Sequence, residues 1–239
     1  VLAHVPDIND FVAGFSIVLK TSGVATFEFP HLIRLINESQ FDTIYHEHFS
    51  YLSLTALGGV FEKNGLQIFD VEECSTHGGS LRIFAQRSDT GVLKVGKNVE
   101  RLVKYEKELK VDTSGYYIDF QKKANKIKDN FLKFLIDKKN KGESVAAYGA
   151  AAKGNTLLNY AGVKKDLIPY VVDKNINKQG KYMPGSRIPI KDEQYLIDNK
   201  PEYIIIFPWN IVNEIIEQLQ FAREWGGKFV VFIPEIKIL

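Results

Sequence analysis

Apolar residues at Ile8, Phe11, Val12, Phe15, Val18 and Leu19 recur every three or four positions. That spacing predicts an amphipathic helix, and Asp7 and Asp10 place negative charge at its first turn, where the helix dipole favours it. Thr21-Ser22-Gly23 ends the pattern. Residues 24–29 then predict a short strand, stopped by Pro30. A short helix over 31–38 and a second over 53–63, closed by Asn64-Gly65, follow. Two more strands are predicted at 66–71 and 81–86. The turn between them, His77-Gly78-Gly79-Ser80, is permissive enough for backbone to approach a ligand. Helix, strand, helix and two closing strands is how a doubly wound α/β domain ends. Further on, Tyr117, Phe120, Ala124, Ile127, Phe131 and Phe134 form the stripe of a helix packed on a core, with Ser114 as its candidate cap. Beyond 142 the pattern changes to strand-turn-helix, with strands predicted at 144–148, 167–172, 203–207 and 228–233. Leu157 and Leu158 lie on the helix after the first of these. That repetition predicts a second, parallel-sheet domain. The resulting division is 1–90, a helical connector over 91–141, and 142–239.

Composition sharpens this picture in a few places. The chain has 239 residues, 45% hydrophobic and 25% charged, with a formal net charge of +2. That balance is ordinary for a globular chain and gives no argument for nucleic acid. The connector carries a local excess of Lys and Arg, but its apolar stripe makes solvated lysines on an outer helix face the better reading. One cysteine, Cys74, excludes an internal disulfide framework and a cysteine-cluster zinc site in this stretch. No apolar run approaches the roughly 18 residues of a membrane helix, and no signal peptide is recognisable, so a cytoplasmic setting is the default. The opening Val1-Leu2-Ala3-His4 has no initiator Met and reads as the interior of a domain.

The chemistry concentrates in Tyr45-His46-Glu47-His48. Two imidazoles, a carboxylate and a phenol stand together between apolar Ile44 and Phe49, and no folding rule asks for that. Histidine changes charge near neutral pH, glutamate can fix an imidazole tautomer, and a phenol can steady a developing oxyanion. A metal site is not the better reading, since Ser50 stands where H-E-x-x-H needs its second His. A second candidate is Gly149-Ala150-Ala151-Ala152-Lys153-Gly154-Asn155, a G-x-A-x-x-G variant of the dinucleotide fingerprint, with Asp173 19 residues after Gly154. Free N–H groups at a helix start attract phosphate, and Asp173 could accept from a ribose hydroxyl. Ala151 puts a methyl where that fingerprint has a glycine, while Lys153 and Asn155 offer side-chain donors to a phosphate. A close strand–helix turn without a ligand is the plain alternative. His4 sits where a preceding strand would end, and His77 stands beside two glycines.

The stretches Leu2-Ala3-His4-Val5-Pro6, Phe41-Asp42-Thr43-Ile44-Tyr45-His46-Glu47-His48-Phe49-Ser50-Tyr51, His77-Gly78-Gly79-Ser80-Leu81-Arg82 and Tyr148-Gly149-Ala150-Ala151-Ala152-Lys153-Gly154-Asn155-Thr156-Leu157-Leu158-Asn159 together resemble the nucleotide-sugar C-methyltransferases. The resemblance implies the C-terminal part of an S-adenosylmethionine-dependent methyltransferase domain over 1–90. It also implies a second Rossmann-like domain over 142–239 that binds a nucleotide-linked keto-sugar rather than NAD. It places the family's zinc-binding domain and S-adenosylmethionine glycine loop before Val1. It implies His48 as the base that removes a proton beside a ketone, with Tyr45 and Glu47 contacting the sugar or orienting the imidazole. His4 would face the same substrate, Lys153 and Asn155 would hold the diphosphate, and His77, Arg82 and Asp173 would add further contacts. The expected reaction is methylation of a 4-keto-deoxysugar nucleotide at carbon 3. An NAD-linked oxidoreductase or a noncatalytic nucleotide-binding module are the alternatives. No membrane or nucleic-acid partner is expected.

Overall fold

The computed structural model describes residues 1–239, apart from the side chain of His77. The chain divides into two compact units, one of Val1–Asn37 with His46–Phe120, the other of Glu38–Tyr45 with Gln121–Leu239. Among the described residues, no helix is long and apolar enough to cross a membrane.

In the first unit the order is α1 (Ile8–Val18), β1 (Val24–Pro30), α2 (Leu32–Asn37), α3 (Leu54–Lys63), β2 (Leu66–Cys74), β3 (Ser80–Arg87) and α4 (Lys97–Leu109). Asp7 caps α1 by accepting the Asp10 N–H at 3.0 Å. Ser53 caps α3 by accepting that of Ala56 at 3.2 Å. Such side-chain acceptors satisfy donors that a helix start leaves unpaired. The three strands form one sheet in the order β1-β3-β2, with β3 antiparallel to both neighbours. Alternation along β1 sends Ala25, Phe27 and Phe29 inward, where they join Val12, Leu57, Phe61 and Ile83 in one core. Helix α4, which lies within the stretch expected as a helical connector, adds the buried Leu102. Its Glu106 is buried and accepts the backbone N–H groups of Leu54 and Thr55 at 2.8 and 2.7 Å. Ser114 does not cap the connector helix as expected. It opens a short 3-10 turn, Ser114–Tyr117, that the Tyr117 hydroxyl holds by donating to the Val111 carbonyl at 2.6 Å.

The second unit holds nearly all of α5 (Phe120–Lys141), then β4 (Val145–Tyr148), α6 (Ala152–Ala161), β5 (Val171–Val172), β6 (Ile190–Lys191), α7 (Glu193–Asn199), β7 (Tyr203–Ile206), α8 (Val212–Gln218), β8 (Lys228–Val231) and β9 (Lys237–Ile238). The sheet order is β6-β5-β4-β7-β8-β9, parallel except for β9. Every residue of β4 and β7 is buried, as expected for parallel strands covered on both faces. The predicted stripe holds from Ala124 onward, where α5 buries Ala124, Ile127, Phe131 and Phe134, with both phenylalanines edge-on to Phe232; Phe120 is only half-buried, and Tyr117 lies in the 3-10 turn before the helix. The strand expected over 167–172 shrinks to two residues. Leu167 and Ile168 donate back to the Lys164 carbonyl in a turn, and Pro169 has no N–H to offer a ladder.

Candidate active site

The first cluster is assembled by backbone. The N–H groups of Phe49 and Ser50 donate to the Ala3 carbonyl at 2.8 and 3.3 Å. This seats residues 49–50 on the 3-10 turn Leu2–His4. The His4 and His48 rings consequently meet edge-to-face, 4.9 Å between centroids, and the Tyr51 ring lies 6.0 Å from His48. His48 is half-buried and His4 exposed. A half-buried imidazole held by aromatic neighbours is suited to accept a proton from a docked substrate. His46 and Glu47 occupy an exposed turn. Tyr45 is half-buried and ends the segment Glu38–Tyr45, which belongs to the other unit. Tyr51 is the residue here that sequence reasoning did not single out. A lone tyrosine after the motif gives no signal until the fold turns it toward His48.

The turn at residues 75–79 is organised by Glu28 on β1. Its carboxylate accepts from the hydroxyls of Thr76 and Ser80 at 2.6 and 2.7 Å and from the Arg82 guanidinium at 2.9 Å. Those hydrogen bonds, Thr76 first, hold its pKa down at about 2. Arg82 reaches Glu72 as well, at 3.4 Å, so its charge is committed to two sheet carboxylates. The His77 side chain, expected among the substrate contacts, lies outside the described residues.

The glycine turn of the second unit is built for close packing. Gly149 has φ +91°, and a Cβ there would lie 2.4 Å from the Pro208 ring; a Cβ on Gly154 would lie 2.5 Å from Phe207. Strand and helix approach so tightly because neither residue has a side chain. Asp173, at the end of β5, is occupied within the protein. Its Oδ2 accepts the Ala150 N–H at 2.7 Å and the Lys178 ammonium at 3.2 Å, and its Oδ1 accepts the Asn175 N–H at 2.8 Å. The carboxylate that a dinucleotide site would turn toward a ribose is thus tied to the glycine turn itself. Asn155 Oδ1 accepts from Asn159, which also donates to the Pro184 carbonyl.

Lys153, on the first turn of α6, has its amine 4.4 Å from the centre of the Trp209 indole. The indole N–H in turn donates to Asp42 Oδ2 at 2.7 Å. Asp42 is 2% exposed. Burial pushes its carboxyl pKa up to about 6 against the opposing pull of Lys153 and Trp209. Burial also lowers that of the Lys153 ammonium, and Asp42 counteracts it.

Residues 75–234 match the family described as the C-methyltransferase C-terminal domain. The chain belongs to that family. It is also 35% identical over 237 residues to the C-methyltransferase NovU of Streptomyces niveus, an alignment covering 99% of this chain and 56% of that protein. The chain thus spans little more than half the length of the curated relative it matches. Within this C-methyltransferase family member, the family match takes in the glycine turn, Lys153, Asn155, Asp173 and Trp209. The longer alignment to NovU reaches the Tyr45–His48 motif as well.

Proposed function

We propose that this chain carries the base and the substrate-binding part of an S-adenosylmethionine-dependent C-methyltransferase acting at carbon 3 of a 4-keto-deoxysugar nucleotide. The observation that carries the reading is the His48 imidazole, set against His4 by the bonds to the Ala3 carbonyl. Membership of the C-methyltransferase family and the C-methyltransferase name of the Streptomyces relative support it.

A hydrogen beside a ketone becomes acidic when the resulting enolate is stabilised. In this reading His48 takes that proton, and the C–H electron pair becomes the enolate of the 4-keto group. Tyr45 and Glu47 contact the sugar or orient the base, and His4 confines it. Lys153 and Asn155 meet the diphosphate, while Arg82 and Asp173 serve the substrate by holding the loops at residues 75–79 and 149–155 in shape. Residues 1–90 then belong to the methyl-donor domain, 91–141 to a connector and 142–239 to a nucleotide-sugar-binding domain. When bound, S-adenosylmethionine supplies the electrophilic methyl group. The residues present do not form a cradle for it. Among the described residues of the first unit, β1 passes to α2 through Pro30 and His31, and β3 reaches α4 only after the loop 88–96. No tight glycine turn links a strand to a helix there, and no residue of this chain is assigned to the donor.

The oxidoreductase reading gains no support from the geometry, since Asp173 is consumed by Ala150, Lys178 and Asn175. The test uses the full-length protein with a 4-keto-6-deoxysugar nucleotide and S-adenosylmethionine. His48→Ala is expected to lower turnover by roughly 100- to 10,000-fold, the range for loss of a positioned general base. Wild-type turnover in that variant, with its fold intact by circular dichroism, removes the assignment.

A further inference from the structure

Nothing in the sequence pattern marks Asp42, yet its surroundings are those of a working residue. A carboxylate at 2% exposure costs several kcal/mol unless its oxygens are satisfied. Here Oδ2 has the indole N–H of Trp209, while Oδ1 has no hydrogen-bond partner among the described residues. Both oxygens belong to a group that lines a small cavity with Lys153, Gly154, Phe207 and Trp209. That cavity measures about 10 Å³, close to the room one water needs and far below a phosphate. Asp42 is buried while Lys153 is only half-buried, so Lys153 has surface to offer a substrate and Asp42 has almost none. It acts on the side chains beside it.

We propose that Asp42 is a positioning residue for the nucleotide-sugar site, holding the Lys153 ammonium and the Trp209 indole in one arrangement at the start of α6. The proposal rests on the reading that Lys153 meets the diphosphate. The same carboxylate sits in the 3-10 turn Phe41–Thr43, where Thr43 Oγ1 donates to the Gln40 carbonyl at 2.7 Å and Phe41 packs on Tyr160 at 5.2 Å. An amine must be protonated to grip a diphosphate. Burial works against protonation at Lys153 and the Asp42 charge works for it. Asp42 and Lys153 are the titratable residues of the cavity wall, and the others are apolar residues, Trp209 and a glycine.

The experiment measures nucleotide-sugar affinity of the full-length protein as a function of pH, together with kcat and KM. Asp42→Asn keeps the size and an acceptor for the indole but removes the charge. Its alkaline limb of binding is expected to move down by about one pH unit, the smaller end of the effect of a close opposite charge. KM should rise by roughly tenfold near that limb while kcat at saturating substrate changes little. An unmoved limb with unchanged affinity overturns the proposal. Should that variant not fold, Trp209→Phe gives the second reading. Loss of the indole donor makes Asp42 easier to protonate, so the acid limb of binding should move up, and an unmoved acid limb overturns the proposal. Lys153→Ala separates the two ideas. Wild-type affinity there defeats the diphosphate role of Lys153 itself. Lost affinity there with no shift in Asp42→Asn defeats the role of Asp42 alone.

Discussion

His31 shows how a single buried group sets a pH dependence. Its side chain is 3% exposed and its Nε2 has no hydrogen-bond partner among the described residues. Burial lowers its pKa to about 4. The folded protein therefore keeps this imidazole neutral between pH 4 and 6.5, where the unfolded chain protonates it. The unfolded state binds more protons in that window, so His31 makes the unfolding free energy rise with pH across it and fall as pH drops. The contribution is up to about 3 kcal/mol, since each tenfold change in proton affinity is worth about 1.4 kcal/mol. Asp42 works in the opposite direction. With its carboxyl pKa raised to about 6, it favours the folded state at low pH and loses that effect as pH rises through 6. A difference measurement isolates the histidine. The stability of the wild type minus that of His31→Leu, from urea unfolding, should increase from pH 4 to pH 6.5, and a flat difference would disprove the buried neutral imidazole. At this scale the sequence was readable where unusual residue types cluster, as in Tyr45-His46-Glu47-His48. Asp42 was not readable, because its partner Trp209 lies 167 residues away and one Asp between Phe41 and Thr43 looks like loop. Arg82 and Asp173 were readable as charged residues in the right stretches, but not as residues already engaged by Glu28 and Ala150.

Among the elements, α3 depends on a neighbour as much as on its own residues. Its first two N–H groups go to Glu106 of α4, and the third is taken by its own cap, Ser53. Glu106→Ala leaves the buried Leu54 donor and the part-buried Thr55 donor without their acceptor and should destabilise the protein by about 2–4 kcal/mol, since hydrogen bonds to a charged group contribute roughly 1.5–3 kcal/mol each. Glu106→Gln keeps one acceptor and should cost less. Equal denaturation midpoints for the wild type and both variants would rule out the capping role. The start of this helix at residue 53 was visible beforehand, because helix start and stop signals are local. The cap from Glu106 was not, because a lysine-rich stretch hides one glutamate and the contact spans 52 residues. The same division runs through the strands. β1, β2 and β3 were expected as short runs between turn signals, and β4, β7 and β8 from the strand-turn-helix repetition. β6 and β9 have two residues each, too few for any period to register, and they exist because the adjoining sheet supplies partners.

For the whole molecule, the α/β class and a parallel-sheet unit followed from the order of elements, whereas the assignment of Glu38–Tyr45 to the second unit did not. Sequence proximity put Tyr45 and His48 in one motif. The fold distributes that motif, with Tyr45 closing a segment of one unit and His48 meeting His4 in the other. A division of labour follows from the proposed function: deprotonation belongs to His48, and retention of the nucleotide belongs to Lys153. Exchange of the substrate hydrogen with solvent separates the two. With S-adenosylhomocysteine in place of the donor, the full-length wild type in deuterium oxide should place deuterium at the carbon beside the ketone, because a proton taken by an imidazole open to solvent is replaced from water before it returns. His48→Ala should lose this exchange at every substrate concentration. Lys153→Ala should lose it at low substrate and regain it near saturation, since a binding defect is overcome by mass action and a missing base is not. Mass spectrometry of recovered substrate reads the result. Exchange at the wild-type rate in His48→Ala would transfer the base to another group, and methylation by a wild type that shows no exchange would refute an enolate that equilibrates with solvent through this imidazole.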